Sequence, residues 1–364
     1  MMPSILIIGG YGALGSRIAE LLVREGDYDI IIAGRHAGKA KQSADLLGVR
    51  WAAIDITKNL EYKLEELRPS LLINASGLDD YHAYQAAEMC IDMGIHYIDL
   101  SASREFVVGF TGLDDEAKAK DVVAIAGAGA LPAFSSAIFN HTLDSRMPDI
   151  FELDYGITIG NQSHLGVASI NAFLRHAGQP FTRLERSKMR IRFGWQKMRL
   201  HSYPELGARW LCNYNAPELT LLPEQYSTLR SMRFGIGLEL GILHWGLWAW
   251  SWLTRCGILR TPSGSASALH SIHSWFRDFG SNKSAMHMRF RGVDFNGNHR
   301  EISWHLIATH GDGAYVPAVP AVVLARAILS GHFNTAGAHA AMGLASKEAL
   351  MDTIKHLRIR EVWS

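Results

Sequence analysis

The sequence is poor in cysteine: Cys90, Cys212 and Cys256 are the three in 364 residues, far apart and without metal-ligand spacing. That argues against a disulfide framework or a cysteine-based zinc site and fits a reducing, cytoplasmic setting. An excess of one charge is also missing, with 36 Lys and Arg against 35 Asp and Glu, so the footprint of a nucleic-acid binder is absent. The 17 histidines include no H-E-x-x-H or comparable pair, and no metal site is expected. Internal repeats and low-complexity tracts are lacking. No basic stretch with a cleavage site precedes the first apolar run, so a secretory leader is not expected.

What is present begins at once. Ser4-Ile5-Leu6-Ile7-Ile8 is an apolar run, followed directly by GGYGALG (Gly9 to Gly15). Leu14, Ile18, Leu21 and Leu22 then repeat at helical spacing up to Gly26, a C-cap residue, and Asp29 to Ala33 reads as a second buried strand. In this strand–turn–helix–strand setting, Gly10, Gly12 and Gly15 form a dinucleotide-binding fingerprint, and the loop Gly10, Tyr11, Gly12, Ala13, Leu14 and Gly15 is the expected pyrophosphate cradle. An acid about 20 residues on usually holds the ribose 2′-hydroxyl of NAD. That acid is missing here. The place holds Gly34-Arg35-His36, with Lys39 one helical turn later, and a guanidinium at Arg35 suits a 2′-phosphate, which points to NADP(H).

Strand and helix go on alternating: Val49 to Ile54, Leu60 to Leu67, Leu71 to Ala75, Tyr81 to Met93, His96 to Leu100, Leu113 to Lys120 and Val122 to Ile125. Such alternation predicts an α/β fold with a Rossmann doubly wound parallel sheet. Ligands of these sheets bind beyond the carboxyl ends of the strands. The expected rim adds Asp55 on the adenine side, Ser76 and Gly77 near the nicotinamide ribose, Ser101, and Gly127 to Pro132. Plain turn chemistry is the alternative for each of these residues. After Pro132 the pattern changes. A helix is predicted over Ala133 to Leu143, a strand over Phe151 to Ile159 and a helix over Val167 to Ala177. Met286 to Phe295 and Arg300 to Ala308 flank Asn296-Gly297, a hairpin signal. We therefore expect an NADP-binding domain at 1–131, an α+β domain with a mixed or antiparallel sheet at 132–309, and 310–364 packing back on the first.

The ordered set GGYGALG, IIAGR, LLINASG, HYIDLSASREFVVG and AIAGAGALPAFSSA resembles the saccharopine dehydrogenase-like family over Met1 to about Thr142, with a weaker likeness in GDGAYVPAVPAVVLARAILSG (Gly311 to Gly331). The resemblance implies a Rossmann domain, a mixed-sheet domain that often supports homodimers, and pyridine-nucleotide oxidoreduction. Members in lysine and polyamine metabolism form or cleave a secondary amine through an imine and a hydride transfer. Lysine-pathway members carry Asp-Pro-Gly after the sixth strand, the Asp helping to bind the amino-acid substrate. Leu131-Pro132-Ala133 stands here instead, which speaks against saccharopine itself.

No tyrosine has Lys four residues on, so the Tyr–Lys mechanism of short-chain dehydrogenases is excluded, and the absence of cysteine over Gly127 to Ser136 excludes a thioester. Hydride transfer to a C=N or C=O carbon of a small metabolite needs only positioning and one proton carrier. Candidates are Asp99 and His310, with Tyr97, Asp312 and Tyr315 nearby in sequence. A turn-capping role for Asp99 and a tight turn at His310 are the alternatives. Phe234 to Leu253, rich in tryptophan, leaves three readings open: a buried or interface helix, a peripheral membrane contact, and a spanning helix. A non-catalytic NADP-binding or membrane-peripheral scaffold is the rival to an enzyme.

Overall fold

The computed structural model describes residues 2–79, 81–162, 167–259 and 279–364. The chain divides into two compact units, Met1–Ile138 with Ala314–Ile354, and Phe139–Gly313 with Lys355–Ser364. In the first unit the strands are β1 (Ser4–Ile8), β2 (Asp29–Gly34), β3 (Arg50–Ala53), β4 (Leu71–Asn74), β5 (His96–Asp99) and β6 (Val123–Ala126), plus a late strand, Gly337–Ala340. They lie in the order Gly337–Ala340, β6, β5, β4, β1, β2, β3, all parallel. Strands covered on both faces must be apolar almost throughout, and Ile5 to Ile8, Ile30 to Ala33 and Leu71 to Ile73 are buried accordingly. The order reverses direction between β1 and β4, which places a crevice outside their carboxyl ends.

The helix after β1 runs Gly15–Glu25, buries Ile18, Ala19, Leu21 and Leu22, and stops at Gly26, whose φ of 76° suits a residue without Cβ. The strand Gly337–Ala340 was not expected, since G-A-H-A carries no strand signal. Its pairing with β6 makes it one, helped by Asp114, whose Oδ1 accepts from the Ala338 amide at 3.1 Å.

The second unit holds β7 (Asp149–Ile159), β8 (Pro180–Glu185), β9 (Lys188–Phe193), β10 (Arg199–Tyr203), β11 (Gly207–Asn213), β12 (Ser231–Leu238), β13 (Ser284–Val293) and β14 (His299–Ala308). Its main sheet runs β10, β11, β12, β7, β13, β14 and the C-terminal strand Ile359–Trp363. Only the β12–β7 pair is parallel, so the sheet is mixed. It also curls: His201 on β10 reaches His305 on β14, their Nε2 atoms 3.2 Å apart. β8 and β9 form a separate ribbon. The β13–β14 turn falls at Asn296-Gly297, where Asp294 Oδ1 accepts from the Asn296 and Asn298 amides at 2.9 Å and Gly297 takes φ 82°.

Two expectations need correction. Lys355–Ser364 lies in the second unit, because Ile359–Trp363 pairs with β14, whereas Ala314–Ile354 lies in the first. The tryptophan-rich segment is no continuous helix: Phe234 to Leu238 complete β12, and the helix spans only Gly241–Arg255. No helix among the described residues is long and apolar enough to cross a membrane.

Gly292 sits where the β13–β7 register shifts, and a Cβ there would collide with the Asp149 carbonyl oxygen and come within 2.6 Å of Met147 Sδ. Gly292→Ala should therefore destabilise the second unit by about 2 kcal/mol, read as a lowered urea midpoint. An unchanged midpoint would contradict this packing.

Candidate functional site

The carboxyl ends of β1, β2, β4 and β5 gather most of the residues that the sequence nominates. Gly9 takes φ 76°, and a Cβ on it would lie 2.6 Å from the Ala75 carbonyl oxygen. A Cβ on Gly10 would lie 2.9 Å from Ile7 O and Ile32 Cγ2, and one on Gly15 would strike Gly9 O and approach Gly10 Cα at 2.7 Å. Backbone thus packs on backbone. The Gly12 amide donates to Gly9 O at 2.8 Å and that of Gly10 to Ala33 O at 3.0 Å, whereas the amides of Tyr11, Ala13 and Leu14 have no partner among the described residues. Free N–H groups at a helix N-terminus are what a pyrophosphate requires. A dinucleotide therefore fits this cradle.

Tyr11 has a role that spacing alone did not suggest. Its ring covers Gly34, where a Cβ would lie 2.8 Å from Cζ, and its hydroxyl accepts from the His36 amide at 3.2 Å. The glycine loop is thereby fastened to the end of β2, where Arg35, His36 and Lys39 are exposed. Asp55, after β3, accepts from Thr57 Oγ1 at 2.8 Å and Thr57 N at 3.1 Å. Those two bonds, with Lys58 and Arg35 adding smaller effects against slight burial, lower its pKa. This is turn chemistry, with Arg35 close enough to be felt.

Behind the rim lies a buried polar network. Asn74 Oδ1 accepts from Ser76 Oγ at 2.7 Å and Ser76 N at 3.2 Å, while its Nδ2 donates to the Tyr97 hydroxyl at 3.0 Å and Asp99 Oδ2 at 3.2 Å. Asp99, 1% exposed, accepts on Oδ1 from the Ser101 amide at 2.5 Å. Its backbone carbonyl accepts from the Ala128 amide at 2.7 Å. Asp99 so holds the Ser101 turn, and Asn74 the Ser76-Gly77 turn. Burial pushes the Asp99 carboxyl up to about 7 against the pull of Ser101 and Tyr97, with Asp79 adding to the rise. Burial and the neighbouring Asp99 also keep the Tyr97 phenol protonated, far above its usual range. Leu131, Pro132 and Ala133 are all buried and apolar, offering no carboxylate to a substrate ammonium.

His310 lies in the other unit, exposed, with φ 58° and its Nδ1 3.0 Å from Thr309 Oγ1. Asp99 and His310 are thus carried by different units. Asp312 accepts from the Arg358 amide at 2.7 Å, and the Tyr315 hydroxyl donates to Glu20 at 2.5 Å. Cys90 is fully buried, with its thiol pushed above the usual range by burial, so it serves as packing.

The second unit contains a polar cluster that the sequence reading missed. Asp154 receives Arg199 and Arg233 at 2.6 Å and Arg289 at 2.8 Å. Burial opposes its ionisation, yet Arg199 and Arg233 outweigh this and hold the carboxyl well below its usual range. His201 stacks on His287 with ring centroids 3.6 Å apart, and the Tyr203 hydroxyl lies 2.8 Å from His287 Nδ1. Burial holds His201 down to about 4 and lowers His287 and His305 too, so the trio is neutral near pH 7. The signal was there: Arg199, His201 and Tyr203 alternate along one strand, so they share one face. Among the described residues no group of three or more His, Cys, Asp or Glu is placed to hold a metal.

Residues 5–125 match the sequence family described as "Saccharopine dehydrogenase NADP binding domain". No curated protein sequence matches the chain. Among solved structures, the apo histidine-tagged saccharopine dehydrogenase (L-Glu forming) of Saccharomyces cerevisiae superposes with a TM-score of 0.74 at 12% identity, covering 100% of both chains. The homospermidine synthase of Legionella pneumophila, solved in complex with NAD, gives 0.62 at 12% identity over 100% of this chain and 92% of its own. At such identities the likeness is one of fold.

Because burial raises its folded pKa, Asp99 keeps a proton that the unfolded chain releases. Its contribution to stability is intact below about pH 4 and is lost as the pH climbs through 7. Unfolding free energy should therefore fall between pH 5 and 7 by up to about 1.4 kcal/mol per unit from this group alone. Asp99→Asn should flatten that slope in urea titrations at several pH values, and an unaltered slope would contradict the assignment.

Proposed function

We propose, from the match of residues 5–125 to the family described as the saccharopine dehydrogenase NADP binding domain, that the chain is an oxidoreductase moving a hydride between NADP(H) and the carbon of a C=N or C=O bond in a small metabolite. The observation that carries this reading is the cradle with free amides joined by Tyr11 to the exposed Arg35. When bound, the nicotinamide supplies or takes the hydride. The chain's own residues do the rest: Gly10 to Gly15 receive the pyrophosphate, Arg35 the 2′-phosphate, and the Ser76-Gly77 and Ser101 turns the ribose beside the nicotinamide.

Reduction of C=N or C=O also needs a proton on the nitrogen or oxygen. Asp99 is buried and acts as a positioning residue for the Ser101 turn and, through Asn74, for the Ser76-Gly77 turn. His310, which the sequence nominates as a proton carrier, is exposed in the second unit. The apolar Leu131-Pro132-Ala133 favours substrates other than saccharopine.

Two measurements test the proposal. Arg35→Ala should weaken NADPH binding by about 10- to 100-fold, the worth of a charge-assisted hydrogen bond or two, and leave NADH nearly unchanged. Equal losses would sink the 2′-phosphate assignment. NADPH oxidation against keto acids paired with amines, and against polyamine aldehydes, should reveal turnover. NADPH binding with no turnover on the whole panel would favour the scaffold reading.

A further inference from the structure

The helix Gly241–Arg255 is built inside out. Ile242, Trp245, Ala249, Trp252 and Leu253 fall within an arc of about 100° at 100° per residue, and this arc faces outward: Ile242 is 66% exposed, Trp245 45%, Trp252 41% and Leu253 39%. The polar side chains point the other way. His244 and Ser251 are buried on the opposite face, His244 with Nε2 3.2 Å from Cys212 Sγ and Nδ1 accepting from the Leu238 amide, and Ser251 donating to Trp248 O at 2.7 Å. A helix meant to face water carries the reverse pattern. Trp210 extends the exposed face, standing edge-on to Trp245 at 5.9 Å.

Positive charge adjoins this face. The Arg255 guanidinium lies 3.9 Å from the Phe193 ring centroid and 5.1 Å from that of Trp252, and Arg255 Nη1 donates to Gln196 at 2.7 Å. These contacts join the end of the helix to the end of β9. From Arg186 to Leu200 there are six Lys and Arg and no acid. Arg186, Lys188, Arg190 and Lys197 are exposed and make no ion pair among the described residues, and Met189 and Ile191 are exposed between them.

We propose that this face docks on an anionic lipid bilayer, with the tryptophans at the level of the headgroups and the β8–β9 cations on lipid phosphates. A helix of 15 residues is about 22 Å long, too short to span a hydrocarbon core but suited to lie in its surface. The charge decides against a second copy of the chain as occupant. A two-fold contact through the helix would bring two ribbons of net positive charge together, whereas an anionic surface complements them.

The test is co-sedimentation of the full chain with phosphatidylcholine vesicles with or without about 30 mol% phosphatidylglycerol. The chain should pellet with the anionic vesicles, bind neutral ones about tenfold more weakly, and be released by high salt. Trp245→Glu should abolish binding. The paired exposed changes Lys188→Glu and Arg190→Glu, which leave the helix intact, should weaken it by about tenfold or more, with NADPH binding unaltered in both variants. A wild-type chain that stays in the supernatant would overturn the proposal. So would a dimer, seen by sedimentation velocity, that Trp245→Glu dissolves without any vesicle binding by the wild type.

Discussion

The nucleotide half of the molecule depends on one steric constraint, the approach of backbone to backbone around Gly9, Gly10 and Gly15. A Cβ at Gly15 would enter the Gly9 carbonyl, and one at Gly9 would press on Ala75. Without those side chains the helix begins directly over the end of β1, and three amides of the loop that leads into it have no partner among the described residues. Tyr11 then closes over Gly34 and ties the same loop to the turn that carries Arg35. One packing arrangement thus sets both the phosphate cradle and the position of the charge beside it.

The second layer is polar and buried. Asn74, Tyr97 and Asp99 replace apolar contact with hydrogen bonds at the ends of β4 and β5, and two further bonds, Asn74 to Ser76 and Asp99 to Ser101, fix turns that reach the rim. Burying a carboxyl there is costly to its charged form, which is why Asp99 titrates near neutrality. Its geometry is that of a brace rather than of a group presented to substrate.

Much of the first unit was legible in the sequence because its signals are local. Apolar strands, glycine caps such as Gly26 and the glycine triplet require only neighbouring residues to be understood. The strand Gly337–Ala340 was not legible, since a partner two hundred residues away makes it a strand. The same applies to β12, where Phe234 to Leu238 look helical beside Gly241–Arg255 until the pairing with β7 is known. The places of Gly10 to Gly15, Arg35, Ser76 and Ser101 after strand ends were readable from the sequence. The links among them were not, because Tyr11 to Gly34 and Asn74 to Asp99 are tertiary. The cluster of Asp154, three arginines and three histidines was hidden for the same reason: its members come from five strands.

In the proposed function the cradle and Arg35 select a 2′-phosphorylated dinucleotide. Isothermal titration of the unaltered protein with NADPH and with NADH, at two salt concentrations, tests it directly. NADPH should bind at least about tenfold tighter, with the gap narrowing as salt screens the exposed guanidinium. Equal affinities, or tighter binding of NADH, would contradict it.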